Sequence, residues 1–241
     1  MSALATQHKA FNLGQGFPDY DPPSALLDLV KDSICDHKHQ YAPMAGVMAL
    51  REIIAQKVLH AYGQYVHPST EITITAGATQ AIFTAITALV HAGDEVIIFE
   101  PAYDSYRPSI ELAGGKAVVY TMEAPDFRIN WSLLVAMICP KTKMIIINTP
   151  HNPTGTILKS DDLLQLSRIV KDTDIIILSD EVYEHLVYDD LAHESVLKYP
   201  ELYQRSISVF SFGKTYHCTG WKVGYRSEEH TSELQSPCNL V

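Results

Sequence analysis

Lys214 follows an apolar run, in SFGKT (211–215) after ISVFS. A lysine in that position is commonly a solvated charge. It is otherwise an amine desolvated enough to act as a nucleophile and form a Schiff base with a carbonyl. Asp180 leaves a second apolar run, in SDEVYE (179–184), where an unpaired carboxylate is costly. It must meet a cation, a donor or the surface, and Tyr183 can reach the same point; an ordinary helix N-cap explains the segment equally well. NTPHNPTG (148–155) places two Asn and two Pro directly after MIIIN, which fixes the backbone and favours a ligand-facing Asn152 over a plain turn. In TAGATQ (75–80), Gly77 and Ala78 let the backbone approach an anion, and the N–H groups of Ala78 and Thr79 suit a phosphate. Alone that turn is a weak signal, because most such turns are only tight connections. Gly213-Lys214-Thr215 imitates the end of a Walker loop, but Ser208 stands where that loop needs glycine, so the P-loop fails.

All four segments sit where a strand-like run ends. The runs are EITIT (71–75), EVIIFE (95–100), KAVVYT (116–121), MIIIN (144–148), DIIIL (174–178), ISVFS (207–211) and WKVGY (221–225). Between them lie helical stretches, Ala78 to His91 and Asp161 to Val170 among them. Near-continuous apolar strands such as MIIIN suit a sheet covered on both faces, and the alternation implies right-handed βαβ units in an α/β fold. Ligands of such a sheet bind beyond the carboxyl ends of its strands. The first 60 residues read differently, as loop and two short helical stretches around a Tyr-Ala-Pro-Met-Ala-Gly turn. The last sixteen residues, RSEEHTSELQSPCNLV, are polar and aperiodic and are read as a frame-shifted or foreign tail, with a flexible natural terminus as the alternative.

Composition narrows the partners. With 241 residues, 46% of them apolar and 19% charged, the chain can bury a sizeable core and does not read as disordered. A net charge of −10 disfavours nucleic acid and anionic membranes as partners, since both need clustered Lys and Arg. There is no 18-residue apolar run and no signal-like N-terminus, so a cytoplasmic location is expected. Cys35, Cys139, Cys218 and Cys238 are far apart and read as free thiols. His37 and His39 lack a third ligand and read as a solvated face, so no metal is expected.

As an ordered set, GQGFPD (14–19), YAPMAG (41–46), TAGATQ, EPAYDSY (100–106), NTPHNPTG, SDEVYE, SFGKT and TGWKVGY (219–225) resemble the fold type I pyridoxal-phosphate enzymes. Within these the likeness is to class I/II aminotransferases, in the branch of the methionine, kynurenine and glutamine transaminases, over roughly residues 11 to 225. The resemblance implies the large domain of that fold, a mostly parallel sheet with helices on both faces. It implies pyridoxal 5′-phosphate as cofactor, with Lys214 bonded to it, Asp180 on its ring nitrogen, and Asn152 and Tyr183 on its ring hydroxyl. Tyr103 would stack on the ring; Ala78, Thr79, Ser211 and Lys222 would hold the phosphate; Gly16 and Asn152 would face the substrate. Tyr41 would reach the phosphate of a partner subunit in a homodimer.

The implied activity is transfer of an amino group from a methionine-like or aromatic amino acid to a 2-oxo acid. Tyr20, Tyr41 and Tyr103 suggest an aromatic-lined site that fits such apolar donors, and they serve equally well as packing or cofactor contacts. A C–S β-lyase would use the same Lys214 and Asp180 and is the alternative enzyme. The implied domains are 1–40 as an N-terminal arm with part of a small domain, 41–225 as the cofactor-binding large domain, and 226–241 as the foreign tail. Nothing after Gly224 matches the family's carboxylate-clamping arginine, which suggests a cofactor-holding fragment with little or no turnover as a further alternative.

Overall fold

The computed structural model describes residues 1–16, 18–36 and 38–229. Phe17, His37, Cys238 and residues 230–241 of the polar tail lie outside the described residues. Seven strands are described: β1 (Ile72–Thr75), β2 (Glu95–Glu100), β3 (Lys116–Thr121), β4 (Thr142–Asn148), β5 (Ile176–Asp180), β6 (Ser206–Ser211) and β7 (Gly224–Glu228). They form one sheet in the order β1-β7-β6-β5-β4-β2-β3. Every pairing from β6 to β3 is parallel, and β7 alone runs antiparallel, between β6 and β1. The helices are α1 (Ser2–Gln7), α2 (Ser24–Cys35), α3 (Met48–Tyr62), α4 (Ala78–Leu89), α5 (Tyr106–Leu112), α6 (Trp131–Met137), α7 (Ser160–Val170), α8 (Pro200–Tyr203) and α9 (Phe212–Thr215).

Strand side chains alternate between faces, so a run apolar at every position must be covered twice. Val96, Ile98, Met144, Ile146 and Leu178 pack on one face against α4 and α5, through Ala81, Ile82, Ala85, Ile86 and Ile110. Ile97, Ile145, Ile147 and Ile177 point the other way, against Leu134 of α6 and Leu163, Leu166 and Val170 of α7. The expected α/β sheet with helices on both faces is therefore present. A third cluster joins α3 (Ile54, Ala55, Val58) to Ile72 of β1, Phe210 of β6 and Tyr225 of β7. By contrast, α1 and α2 bury no residue.

Two strand boundaries need correction. β5 ends at Asp180, two residues beyond the apolar run, because its pairing with β4 continues through Asn148↔Asp180. β7 begins only at Gly224 and runs to Glu228, so residues 226–228 belong to the sheet and not to a structureless tail. Pairing on both sides holds them there: Arg226 lies between Thr73 and Val209, and Ser227 between Ile72 and Ser208. Arg226 and Glu228 are both buried and contact each other on one face of the strand. Burying a charged pair costs desolvation that apolar side chains would avoid.

Candidate active site

The sheet register brings the predicted segments to one edge. Asn148 and Asp180 are paired neighbours, as are Ser211 and Gly224, and Gly224 is in turn paired with Thr75. Since β7 runs antiparallel, its first residue meets the last residues of β1 and β6 there.

The start of α4 builds an anion cradle. Gly77 caps the helix at φ 77° and ψ 168°, and no side chain occupies the free N–H groups behind it. A positive φ with extended ψ is open essentially to glycine alone. A Cβ on Gly224 would lie 2.7 Å from the Phe210 carbonyl oxygen and 2.8 Å from the Ala78 nitrogen, so only glycine lets β7 pass so close to the start of α4. A Cβ on Gly77 would lie 3.8 Å from both Cα and Cδ of Lys222, which puts that lysine beside the cradle. Lys222 itself is left-handed, at φ 55° and ψ 54°. A non-glycine residue held in that region is a strain found often at ligand sites.

Beside the cradle lies a run of coupled polar groups. The Thr79 hydroxyl is 3.3 Å from the Tyr103 hydroxyl, and the Tyr103 ring meets the Tyr106 ring edge-on with centroids 5.6 Å apart. Tyr106 donates a 2.5 Å hydrogen bond to Oδ2 of Asp180, and the Val182 N–H donates to Oδ1 at 3.3 Å. Asp180 is 4% exposed, and burial pushes its pKa up to about 6, against the opposing pull of Tyr106, Val182 and the Lys214 charge. The Lys214 ammonium lies 5.4 Å from the centroid of the Tyr183 ring. Burial raises the Tyr183 pKa, and the Asp180 charge adds to the effect. Ser211 caps the short helix carrying Lys214, its Oγ accepting from the Lys214 N–H at 3.3 Å.

The structure thus joins Thr79, Tyr103, Asp180, Tyr183 and Lys214 in one cluster, with Ala78, Ser211 and Lys222 along its edge. Asn152 is tied in through its backbone, whose N–H donates to Asn148 Oδ1 at 2.7 Å, while Asn148 Nδ2 donates to the Asp180 carbonyl at 2.8 Å. Two site residues, Asn148 and Tyr106, were not singled out from the sequence. For Tyr106 a signal existed, an aromatic three residues after Tyr103 on the helix that follows. Tyr41 is fully exposed, and nothing lies within 4 Å of where a Cβ of Gly16 would sit, so neither is brought to this cluster. Tyr20 packs edge-on against His217, centroids 4.9 Å apart, on the loop after Lys214. Two of the surface cavities lie elsewhere, one of about 470 Å³ walled by residues 1–14 and one of about 390 Å³ walled by residues 122–162. Neither includes the Asp180–Lys214 cluster. Among the described residues no three His, Cys, Asp or Glu side chains gather as a metal site, and no helix is long and apolar enough to cross a membrane. Cys35, Cys139 and Cys218 are free.

These residues fit a phosphorylated pyridine aldehyde. The cradle offers free N–H groups and a lysine to a phosphate. Asp180, a buried carboxylate that charges reluctantly, gains from a cationic ring N–H opposite it. Comparison with known proteins agrees. Residues 8–230 match the family model described as aminotransferase class I and II. Methionine aminotransferase of Escherichia coli K12 is 49% identical over 225 residues, 93% of this chain and 58% of that protein. Human kynurenine–oxoglutarate transaminase 1 is 34% identical over 92% of this chain and 56% of its own length. Among solved structures, an Escherichia coli protein reported with a methionine aminotransferase function superposes with a TM-score of 0.94 at 47% identity, covering 98% of this chain and 63% of that one. The N-succinyldiaminopimelate aminotransferase of Mycobacterium tuberculosis gives 0.93 at 39% identity, covering 98% and 62%. The chain therefore spans about three-fifths of the length of these relatives. With a matched model over nearly its whole length and the cofactor-suited cluster at the expected strand ends, the chain belongs to the class I and II aminotransferases, a family of pyridoxal-phosphate-dependent enzymes.

Proposed function

We propose that the chain is the cofactor-binding part of an aminotransferase that moves the amino group of a methionine-like or aromatic amino acid to a 2-oxo acid. The observation that carries this reading is the pairing of a half-buried Lys214, seated over Tyr183, with a fully buried Asp180 at the same sheet edge. When bound, pyridoxal 5′-phosphate supplies an aldehyde that links to amines and a protonated ring that accepts electrons from the α-carbon. Asp180 would hold the ring proton in place. Ala78 and Thr79 N–H groups, Ser211 and Lys222 would hold the phosphate, and Tyr103 would lie against the ring. Asn152 and Tyr183 would serve the ring hydroxyl, and Lys214 would be the base that takes the α-proton.

Tyr41 and Gly16 lie away from this cluster, which suits a Tyr41 that serves the site of a second copy in a homodimer. Phe11, Leu13, Tyr41 and Met44 each expose a large apolar side chain, as such an interface requires. We place the enzyme in the cytoplasm. We also keep a division at residue 40 between an N-terminal arm and the large domain, since α1 and α2 bury nothing.

The test begins with pyridoxal phosphate, borohydride and peptide mass spectrometry, which should find the label on Lys214. In a separate, unreduced sample, L-methionine should bleach the visible cofactor band, and a 2-oxo acid should restore it. Label on another lysine, or none, would refute the site. Pyruvate and ammonia released without a 2-oxo acid would identify a lyase instead.

A further inference from the structure

Tyr183 is the one residue of the proposed site that hangs in a turn between two buried carboxylates. β5 ends at Asp180, and the next four residues, Glu181 to Glu184, close a tight turn in which the Glu184 N–H donates to the Glu181 carbonyl at 3.0 Å. Glu181 is fully buried and accepts from Ser179 Oγ at 2.8 Å and from the Val196 N–H at 3.3 Å, with His193 Nε2 at 2.8 Å. Glu184 is 7% exposed and is bound by two groups of α3, the Lys57 ammonium and the Tyr62 hydroxyl. Lys57 also lies 3.2 Å from the Tyr225 hydroxyl of β7, and its ammonium sits over the rings of Phe210, Tyr62 and Tyr225 at 4.6, 5.2 and 5.9 Å. Burial and the Glu184 charge push the Tyr62 phenol well above its ordinary range, so Tyr62 stays protonated and donates.

This cluster lies outside the proposed cofactor contacts, and stability alone explains it poorly. Taking the Glu184 carboxylate and most of the Lys57 side chain out of water costs desolvation, and apolar side chains of similar volume commonly serve stability as well or better. What the charged cluster adds is direction. Glu184 is held by two groups of α3, with Lys57 itself fixed by the Tyr225 hydroxyl and the aromatic floor, and Glu181 is held from a different segment altogether. The two residues left between these anchors are Val182 and Tyr183, and the Tyr183 ring is the surface over which Lys214 lies.

We infer that Lys57 and Tyr62, acting through Glu184, are positioning residues that fix the Tyr183 ring and hydroxyl against Lys214 and the cofactor ring. This inference rests on the proposed function. It assigns to α3, which supplies none of the proposed cofactor contacts, control over how the cofactor is held at its lysine.

Two variants test it: Glu184→Gln, which keeps the hydrogen bonds and removes the charge, and the apolar pair Lys57→Met with Glu184→Leu. Wild type and variants are loaded with pyridoxal phosphate. Three quantities are read: borohydride-fixed label on Lys214, the pH midpoint of the visible cofactor band with the cofactor dissociation rate, and the melting midpoint of cofactor-free protein. A positioning role predicts that the apolar pair melts within a few degrees of wild type. Its band midpoint nevertheless moves by about half a pH unit or more, and cofactor leaves about tenfold faster, as expected for losing a charge-assisted hydrogen bond. Should the apolar pair fail to fold, Glu184→Gln alone must show a midpoint shift of about half a pH unit or more together with faster cofactor loss. A normal spectrum and dissociation rate in the folded variants, whatever their melting point, would overturn the inference. Absence of label on wild-type Lys214 would instead overturn the cofactor reading beneath it.

Discussion

At the scale of single residues, Asp180 and His151 respond to the same pH range with opposite sign. Burial lifts the Asp180 carboxyl from 3.8 to about 6, so the fold favours its neutral form. Without cofactor its contribution is fully present below the unfolded value and is lost as pH rises through about 6, a change of about 3 kcal/mol from linkage. Burial also lowers His151 to about 4, and for that group stability is lost as pH falls from 6.5 toward 4. The two slopes oppose each other, so the wild-type profile hides both. Urea unfolding of cofactor-free Asp180→Asn beside wild type should separate them. The variant's advantage should grow by about 3 kcal/mol between pH 4 and 7, whereas its affinity for pyridoxal phosphate should fall because the ring proton loses its partner. A constant difference across that range would contradict the burial argument. Asp180 thus costs the empty fold stability that a bound cation returns.

At the scale of elements, the cradle depends on backbone that was only partly legible in the sequence. The runs EVIIFE and KAVVYT coincide with β2 and β3; the apolar centre of β2 records burial on both faces, whereas β3, at the end of the described sheet, buries only Tyr120. Boundaries failed where hydrogen-bond partners, not hydrophobicity, decide them. Ser179 and Asp180 are polar yet in strand β5, since Asn148 and β6 pair with them. Trp221 and Lys222 look like strand but form a turn with Lys222 left-handed, which delays β7 to Gly224. The short α6 also escaped notice, although Asn130 caps it by accepting from the N–H groups of Ser132 and Leu133. Likewise, residue types identified Lys214 and Asp180 as reactive candidates, but Tyr106 and the Glu184 cluster depend on contacts between distant segments. Lys222 gives the test at this scale. Lys222→Gly removes the left-handed strain, of order 1 kcal/mol, and offsets it with a more flexible unfolded chain. Melting should therefore change little, while cofactor affinity should drop about tenfold for want of the charged phosphate contact. Unchanged affinity would remove Lys222 from the phosphate site.

At the scale of the whole molecule, one sheet edge gathers residues from positions 75 to 224, while the first 48 residues leave large apolar side chains in water. Tyr41 is the most informative of them, being fully exposed within one copy. If it completes the site of a second copy, subunits carrying Tyr41→Ala and subunits carrying Lys214→Ala should complement one another. Each preparation alone should bind cofactor poorly, and mixing with subunit exchange should restore tight, borohydride-fixable sites. Failure to restore them, with mixed dimers demonstrated, would show that Tyr41 does not act across an interface.

The single antiparallel strand has a consequence for the order in which the site comes into being. Among the described strands β1, which leads into the cradle, pairs with β7 alone, and β7 in turn joins it to β6, which leads into Lys214. During synthesis the cradle segment emerges early and must wait for roughly 150 further residues, on the order of ten seconds at ribosomal rates, before that described neighbour exists. Until then Lys214 and the turn at residues 77–79, the proposed phosphate seat, are held on unjoined parts of the nascent chain. The last described strand is therefore the clasp that turns two half-sites into one.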